Sequence, residues 1–122
     1  MNCEDHLYWG TELIFNCKAG DKEAVTSRET IKAFIDELVE KIKMEKHGET
    51  TIEHFGEGAA AGLTAVQLIT TSSIVIHFCD ESGSFYGNLF SCKHFLEADV
   101  MRIVVKYFKP EQTQTMVLRR GV

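Results

Sequence analysis

Between residues 31 and 42, the apolar side chains of Ile31, Phe34, Ile35, Leu38, Val39 and Ile42 recur 3, 4, 7, 8 and 11 positions after the first. That 3.6-residue period is the clearest in the chain and predicts an amphipathic helix. A stripe of this width must be buried against another element. Just upstream, Thr26-Ser27-Arg28-Glu29 places a hydroxyl three residues before a carboxylate, the capping-box pattern of a helix start. Runs of strand-forming residues surround this helix: Thr11–Cys17, Thr50–Phe55, Leu63–Ile69, Ser73–Phe78, Phe85–Phe90 and Thr113–Arg119. KAGDKEAV reads as a polar loop and DESGS as a turn. GEGAAAG, residues 56–62, reads as a loose connection more readily than as a loop beside a ligand. A second helix is predicted over Ala98–Phe108, stopped before Pro110, the only proline. The order βαββββαβ, with hairpin-length connections, predicts an α+β fold: an antiparallel β-sheet with two helices packed on one face.

The length of 122 residues fits one domain, residues 1–122, able to bury a core without staples. A net charge of −5 with no basic stripe argues against nucleic acid as a partner. No apolar run reaches about 18 residues, so no membrane span is expected. The first ten residues, MNCEDHLYWG, carry no signal-peptide pattern. None of the four cysteines (Cys3, Cys17, Cys79, Cys92) forms a C-x-x-C pair, so neither a zinc site nor a redox motif is expected. The reading is a cytoplasmic protein with reduced thiols. His6, His47, His54 and His94 have no spacing that suggests a metal.

The stretch TTSSIVIHF, residues 70–78, sets four hydroxyls between two strand-forming runs. Such a cluster is ordinarily a turn, but it also suits a backbone that is itself a reactant. If the strand ending at Phe78 pairs antiparallel with the one starting at Phe85, Cys92 falls roughly opposite Ser73 and beside Ser72. His77 then lies toward the other end, on the face of Ser73 and Val75. Taken singly, Ser72 is a turn serine, His77 a surface or satisfied histidine, and Cys92 a small buried hydrophobe. Glu81 beside Asp80 is a solvated turn, and Tyr8 and Phe55 are core aromatics.

Their joint spacing reads differently. TSSIVIHF followed by FSC resembles the self-processing site of the prokaryotic S-adenosylmethionine decarboxylases, especially the compact versions carried by bacteriophages. Ser72, with His77 five residues and Cys92 twenty residues later, keeps the family spacing. Thr64 stands eight residues before Ser72, where the family has a hydroxyl, and Glu81 nine after, where it has an acid. HLYWGTE is similar to the N-terminal strand of the eukaryotic members and puts Tyr8 at an adenine-stacking position, with Glu12 kept. Phe55 matches a second stacking aromatic. Thr71, Ser73, Cys79 and Asn88 depart from residues common in cellular members.

The resemblance implies a proenzyme cut between Thr71 and Ser72, Ser72 becoming a pyruvoyl cofactor, with no metal. Ser72 Oγ attacks the Thr71 carbonyl, Thr64 stabilises the oxyanion, and His77 removes the Cα proton that lets the ester eliminate. Cys92 is implied as the acid that protonates the decarboxylated S-adenosylmethionine, the aminopropyl donor of polyamine and spermidine synthesis. Glu81 is implied to hold the ribose, and Tyr8 and Phe55 the adenine. A strand rises about 3.3 Å per residue, so Ser72 and His77 stand roughly 16 Å apart in one chain. A homodimer with shared sites, Ser72 and Cys92 from one subunit and Thr64, His77, Glu81 and Phe55 from its partner, resolves this. Two such sheets face to face make an α/β/β/α sandwich. Two alternatives stay open: the same cofactor acting on free arginine or ornithine, and a non-catalytic ligand-binding homologue.

Overall fold

The described residues begin with a strand, β1 (Gly10–Lys18), and the segment expected to be a polar loop then folds into a single helical turn, α1 (Lys22–Val25). Asp21 caps α1 by accepting from the Glu23 N–H, and Ala24 and Val25 are buried beneath it. The amphipathic helix α2 (Arg28–Lys41) follows, burying Ile31, Phe34, Ile35, Leu38 and Val39. Its N-cap is Ser27, which accepts from the Thr30 N–H, and not Thr26 as the capping-box pattern suggested. The Thr26 hydroxyl is already committed to the Lys22 carbonyl at 2.7 Å, closing α1. The remaining elements are β2 (Thr51–Phe55), β3 (Gly62–Ile69), β4 (Ser72–Phe78), β5 (Phe85–Ser91), α3 (Glu97–Phe108) and β6 (Gln112–Arg120). This computed structural model describes residues 8–121. Cys3 and His6 lie outside the described residues.

The strands form one antiparallel sheet in the order β2-β3-β4-β5-β1-β6. The expected α+β architecture is therefore present, with α2 and α3 as its two long helices. Period-2 alternation gives each strand two faces. Leu13, Phe15, Leu63, Ala65, Ile74, Ile76, Phe78, Phe85 and Leu89 join the helical side chains in one core. Phe108 sits at the centre of that core, its ring centroid 4.9 Å from Phe34 and 5.1 Å from both Phe78 and Phe85. Lys109, in the left-handed region at φ 46°, ends α3 ahead of Pro110.

The other face is uncovered. Strand register arranges its side chains in rows across the sheet. One row runs Leu68–Ser73–Phe90–Glu12–Leu118, and the next Thr51–Val66–Val75–Asn88–Ile14–Met116. A third, Glu53–Thr64–His77–Tyr86–Asn16–Gln114, is polar apart from its tyrosine ring. Leu68, Tyr86, Met116 and Leu118 are exposed on this face.

The β4–β5 hairpin closes two residues tighter than expected. Its last pair is Phe78↔Phe85, so Ser73 faces Phe90 and Ser72 faces Ser91. Cys79 belongs to the connecting loop, where its N–H donates to the Ser84 carbonyl at 2.8 Å. Loop 56–62 ends at Gly62, where a Cβ would stand 1.7 Å from the Phe78 carbonyl oxygen. A Gly62→Ala chain should therefore lose about 1–3 kcal/mol of stability, as other overpacked positions do. A urea midpoint equal to wild type would contradict that packing.

Candidate active site

Ser72 opens β4 at one end of the sheet, and the peptide joining it to Thr71 lies in the β3–β4 turn. The Thr71 carbonyl oxygen accepts a hydrogen bond from the Cys92 N–H at 3.2 Å. Cys92 thus lies beside the Thr71–Ser72 peptide, facing Thr71 rather than Ser73. The Thr71 hydroxyl is buried and takes a hydrogen bond from Ser91 Oγ at 2.7 Å. Ser91 in turn accepts from the Lys93 N–H at 3.0 Å. The Cys92 sulfur is held in a disulfide, which corrects the expectation that every thiol is reduced. Cys17 and Cys79 are free. Burial pushes the Cys17 thiol up to about 12, and burial followed by the Asp80 charge raises Cys79, so neither is a ready thiolate.

His77 lies near the far end of β4. Ser72 shares its face with Ile74 and Ile76, whereas His77 is on the uncovered face with Ser73 and Val75. Five residues of strand and opposite faces keep Ser72 and His77 apart within one chain. What His77 does meet is Thr64, its cross-strand partner, whose Oγ1 is 2.6 Å from Nδ1. Its Nε2 is 2.7 Å from the Ala60 carbonyl oxygen. A carbonyl only accepts, so Nε2 carries a proton, and in the neutral ring Nδ1 accepts from the Thr64 hydroxyl. The Phe55 ring lies 5.9 Å from the imidazole. Thr64, His77 and Phe55 therefore form one cluster.

The Ala60 contact corrects the reading of residues 56–62 as a loose connection. The segment makes a 3₁₀ turn at Gly58–Ala60, and the Ala61 carbonyl is tied to the Asp80 N–H at 2.9 Å. Gly56, at φ 99°, lets it leave β2 sharply. Asp80 also pairs with His54 Nε2 at 2.6 Å, pinning the 79–84 loop to edge strand β2. Glu81 is exposed on that loop, at the His77 end of the sheet.

Tyr8 and Glu12 lie toward the other end. The Arg119 guanidinium stacks 5.1 Å from the Tyr8 ring centre. Glu12 is largely covered, accepting from Arg120 at 2.6 Å and from Asn88 at 2.9 Å. Trp9 packs on Phe90 at 5.5 Å. So the expected site residues fall into two groups: Ser72, Cys92, Tyr8 and Glu12 at one end, and Thr64, His77, Phe55 and Glu81 at the other. Sequence reasoning missed Ser91 and the Ala60 carbonyl. The first sits in the FSC motif beside Cys92; the second acts through its backbone and leaves no side-chain signal.

Among the described residues, no three or more His, Cys, Asp or Glu side chains converge as a metal site. No helix among them is long and apolar enough to cross a membrane.

Comparisons with known proteins bear on the fold and the family. A structure of adenosylmethionine decarboxylase from Aquifex aeolicus superposes with a TM-score of 0.79 over 94% of this chain and 92% of that one, at 19% identity. An S-adenosylmethionine decarboxylase proenzyme of Archaeoglobus fulgidus is 25% identical over 92% of this chain and 97% of its own length. One from Methanococcus maripaludis is 34% identical over 50% of this chain and 51% of its own. Residues 11–121 match the S-adenosylmethionine decarboxylase family, and the chain belongs to that family.

Proposed function

We propose that the chain is a self-processing proenzyme that cuts itself between Thr71 and Ser72 and then decarboxylates S-adenosylmethionine. The observation that carries this reading is the hydrogen bond from the Cys92 N–H to the Thr71 carbonyl oxygen. It polarises the carbonyl that the Ser72 hydroxyl would attack, and it strengthens as charge develops on that oxygen. Ser72 Oγ bonds to the Thr71 carbonyl carbon, the C–N bond breaks, and the hydroxyl proton passes to the freed amine. The resulting ester loses the Cα proton of residue 72 and eliminates the Thr71 carboxylate, and the dehydroalanine left at residue 72 takes up water and releases ammonia to become a ketone. These residues suit the pyruvoyl group that Ser72 would leave, which would supply an electron sink for the pair left on the substrate α-carbon as CO2 departs.

Thr64 and His77 divide the acid–base work of processing through one proton. The Thr64 hydroxyl has a single hydrogen, given to His77 Nδ1 in the resting chain. When an oxyanion forms nearby, that hydrogen turns to it, and the Nδ1 lone pair is released to take the Cα proton. Ala60 holds the ring in the tautomer this requires. Cys92, as a reduced thiol, returns a proton to the substrate carbon, once exchange with an external dithiol, itself oxidised to a disulfide, has freed it.

The two groups meet in a homodimer whose uncovered sheet faces pack together. A two-fold axis near the Val66–Val75–Asn88–Ile14–Met116 row carries the Ser72 end of one sheet over the Thr64–His77 end of the other. The exposed apolar residues of that face support the packing. Tyr8 of one subunit and Phe55 of its partner then flank the adenine, Glu81 of the partner accepts the ribose hydroxyls, and Glu12 borders the site. The product is the aminopropyl donor for polyamines, made by a cytoplasmic enzyme.

Intact mass under reducing conditions tests the first step. Wild type should resolve into fragments 1–71 and 72–122, while Ser72→Ala stays whole; an uncut wild type would sink the proposal. Shared sites are tested by mixing. Ser72→Ala and His77→Ala chains should each remain uncut alone, yet co-expression should yield cleaved chains, all carrying the His77→Ala change. Absence of cleavage in the mixture, with heterodimers demonstrated, places the site within one subunit. For the substrate, CO2 release is measured from S-adenosylmethionine, arginine and ornithine. Release is expected from the first alone, with KM raised about 10- to 100-fold in Glu81→Ala, the loss of a charged hydrogen-bond pair. Turnover of a free amino acid instead would shift the assignment to the other substrate class.

A further inference from the structure

Two hydroxyls are buried at the end of the sheet where apolar side chains would fill the space at less cost: Ser91, fully buried, and Thr71, 6% exposed. Each has a complete set of partners, and the direction of every bond is fixed. A thioether sulfur has no hydrogen, so the Thr71 hydroxyl donates to Met44 Sδ, 3.6 Å away. Thr71 Oγ1 must then accept from the Ser91 hydroxyl at 2.7 Å, and Ser91 Oγ accepts from the Lys93 N–H at 3.0 Å. The same tripeptide, Ser91-Cys92-Lys93, grips the Thr71 carbonyl through the Cys92 N–H. Thr71 is held at its side chain and at its carbonyl oxygen by consecutive residues of one strand end.

We infer that Ser91 is a positioning residue for self-cleavage, its hydroxyl fixing through Thr71 the plane of the carbonyl that Ser72 attacks. The inference rests on the proenzyme reading above. Ser91 exchanges no proton in the step. The Ser72 Oγ–C bond forms, the Thr71–Ser72 C–N bond breaks, and the hydroxyl proton goes to the nitrogen, while Thr71 keeps all its anchors. Attack on an amide demands approach across the carbonyl plane, and a carbonyl free to rock spends less time in that geometry. A hydroxyl pair aimed at Thr71 resists rocking in a way that apolar packing of the same volume does not.

The test measures processing rates by intact mass under reducing conditions, with hydroxylamine added to capture the ester. Ser91→Ala and Thr71→Val should each slow cleavage about tenfold and lower the hydroxylamine-cleavable fraction. The double variant should be slowed about as much as either single one, because both remove the same bond. Ser91→Thr and Thr71→Ser, which keep the hydroxyls, should return to within about threefold of wild type. These two carry the comparison if an apolar variant fails to fold. Cleavage of Ser91→Ala at the wild-type rate, or a double variant slowed by the product of the singles, overturns the positioning role alone. A wild-type chain that never cuts overturns the proenzyme reading and this inference with it.

Discussion

One strand register decides where the chemistry of this chain can lie. Pairing β4 with β5 at Ser72↔Ser91 sets the Thr71–Ser72 peptide against the 91–93 backbone and His77 on the uncovered face. A slip of one residue would reverse every side chain of β4. Ile74, Ile76 and Phe78, all fully buried, would then face solvent and His77 would enter the core. Burying three such side chains stabilises the observed register by several kcal/mol, at about 1.5–3 kcal/mol each. The loop from Cys79 to Ser84 adds its own lock, through Cys79 N–H to Ser84 and Gly83 N–H to Cys79. The apolar residues of the strand thus do more to place the Thr71–Ser72 peptide than any polar side chain beside it does.

Much of this was legible from sequence for the same reason. The alternation of Ile74, Ile76 and Phe78, and the 31–42 stripe, are large, cheap-to-read signals because burial is their only cause. They led to the sheet, both long helices and the separation of Ser72 from His77. Cap choice was not legible. Thr26 and Ser27 fit an N-cap equally well, and the outcome turned on α1, a four-residue helix in a stretch that reads as polar. The hairpin register was two residues off because the pairing across the 79–84 loop is set by backbone bonds, such as Cys79 N–H to Ser84, that no residue type marks.

The candidate site was legible only where side chains carry it. Ser72, Thr64, His77 and Cys92 announce themselves by spacing, and the structure does bring Thr64 to His77 and Cys92 to Thr71. The Ala60 carbonyl and the Cys92 N–H are backbone groups that any residue could supply, so no residue type marks them. The same limit explains why GEGAAAG read as slack. Its small residues allow the tight path from Gly56 to Gly62, and the contact that matters is made by the main chain.

The uncovered face explains why a sheet of this kind would be completed by a second copy and yet leave room for a small molecule. Two of its rows are mainly apolar, and burying them against another sheet is favourable. The row of Glu53, Thr64, His77, Tyr86, Asn16 and Gln114 is different. Closing it dry would strand polar groups without partners, at a cost of about 1–3 kcal/mol each. Under the proposed two-fold arrangement this row lies at each end of the interface, where the sheets can splay and stay wet. The polar row of one subunit then borders the Thr71–Ser72 peptide of the other, so the places where the two faces pack worst are the places where the reaction needs space. That arrangement would divide stability and catalysis along the strands themselves, with apolar rows holding the subunits together and the polar row keeping a cleft open beside the Thr71–Ser72 peptide.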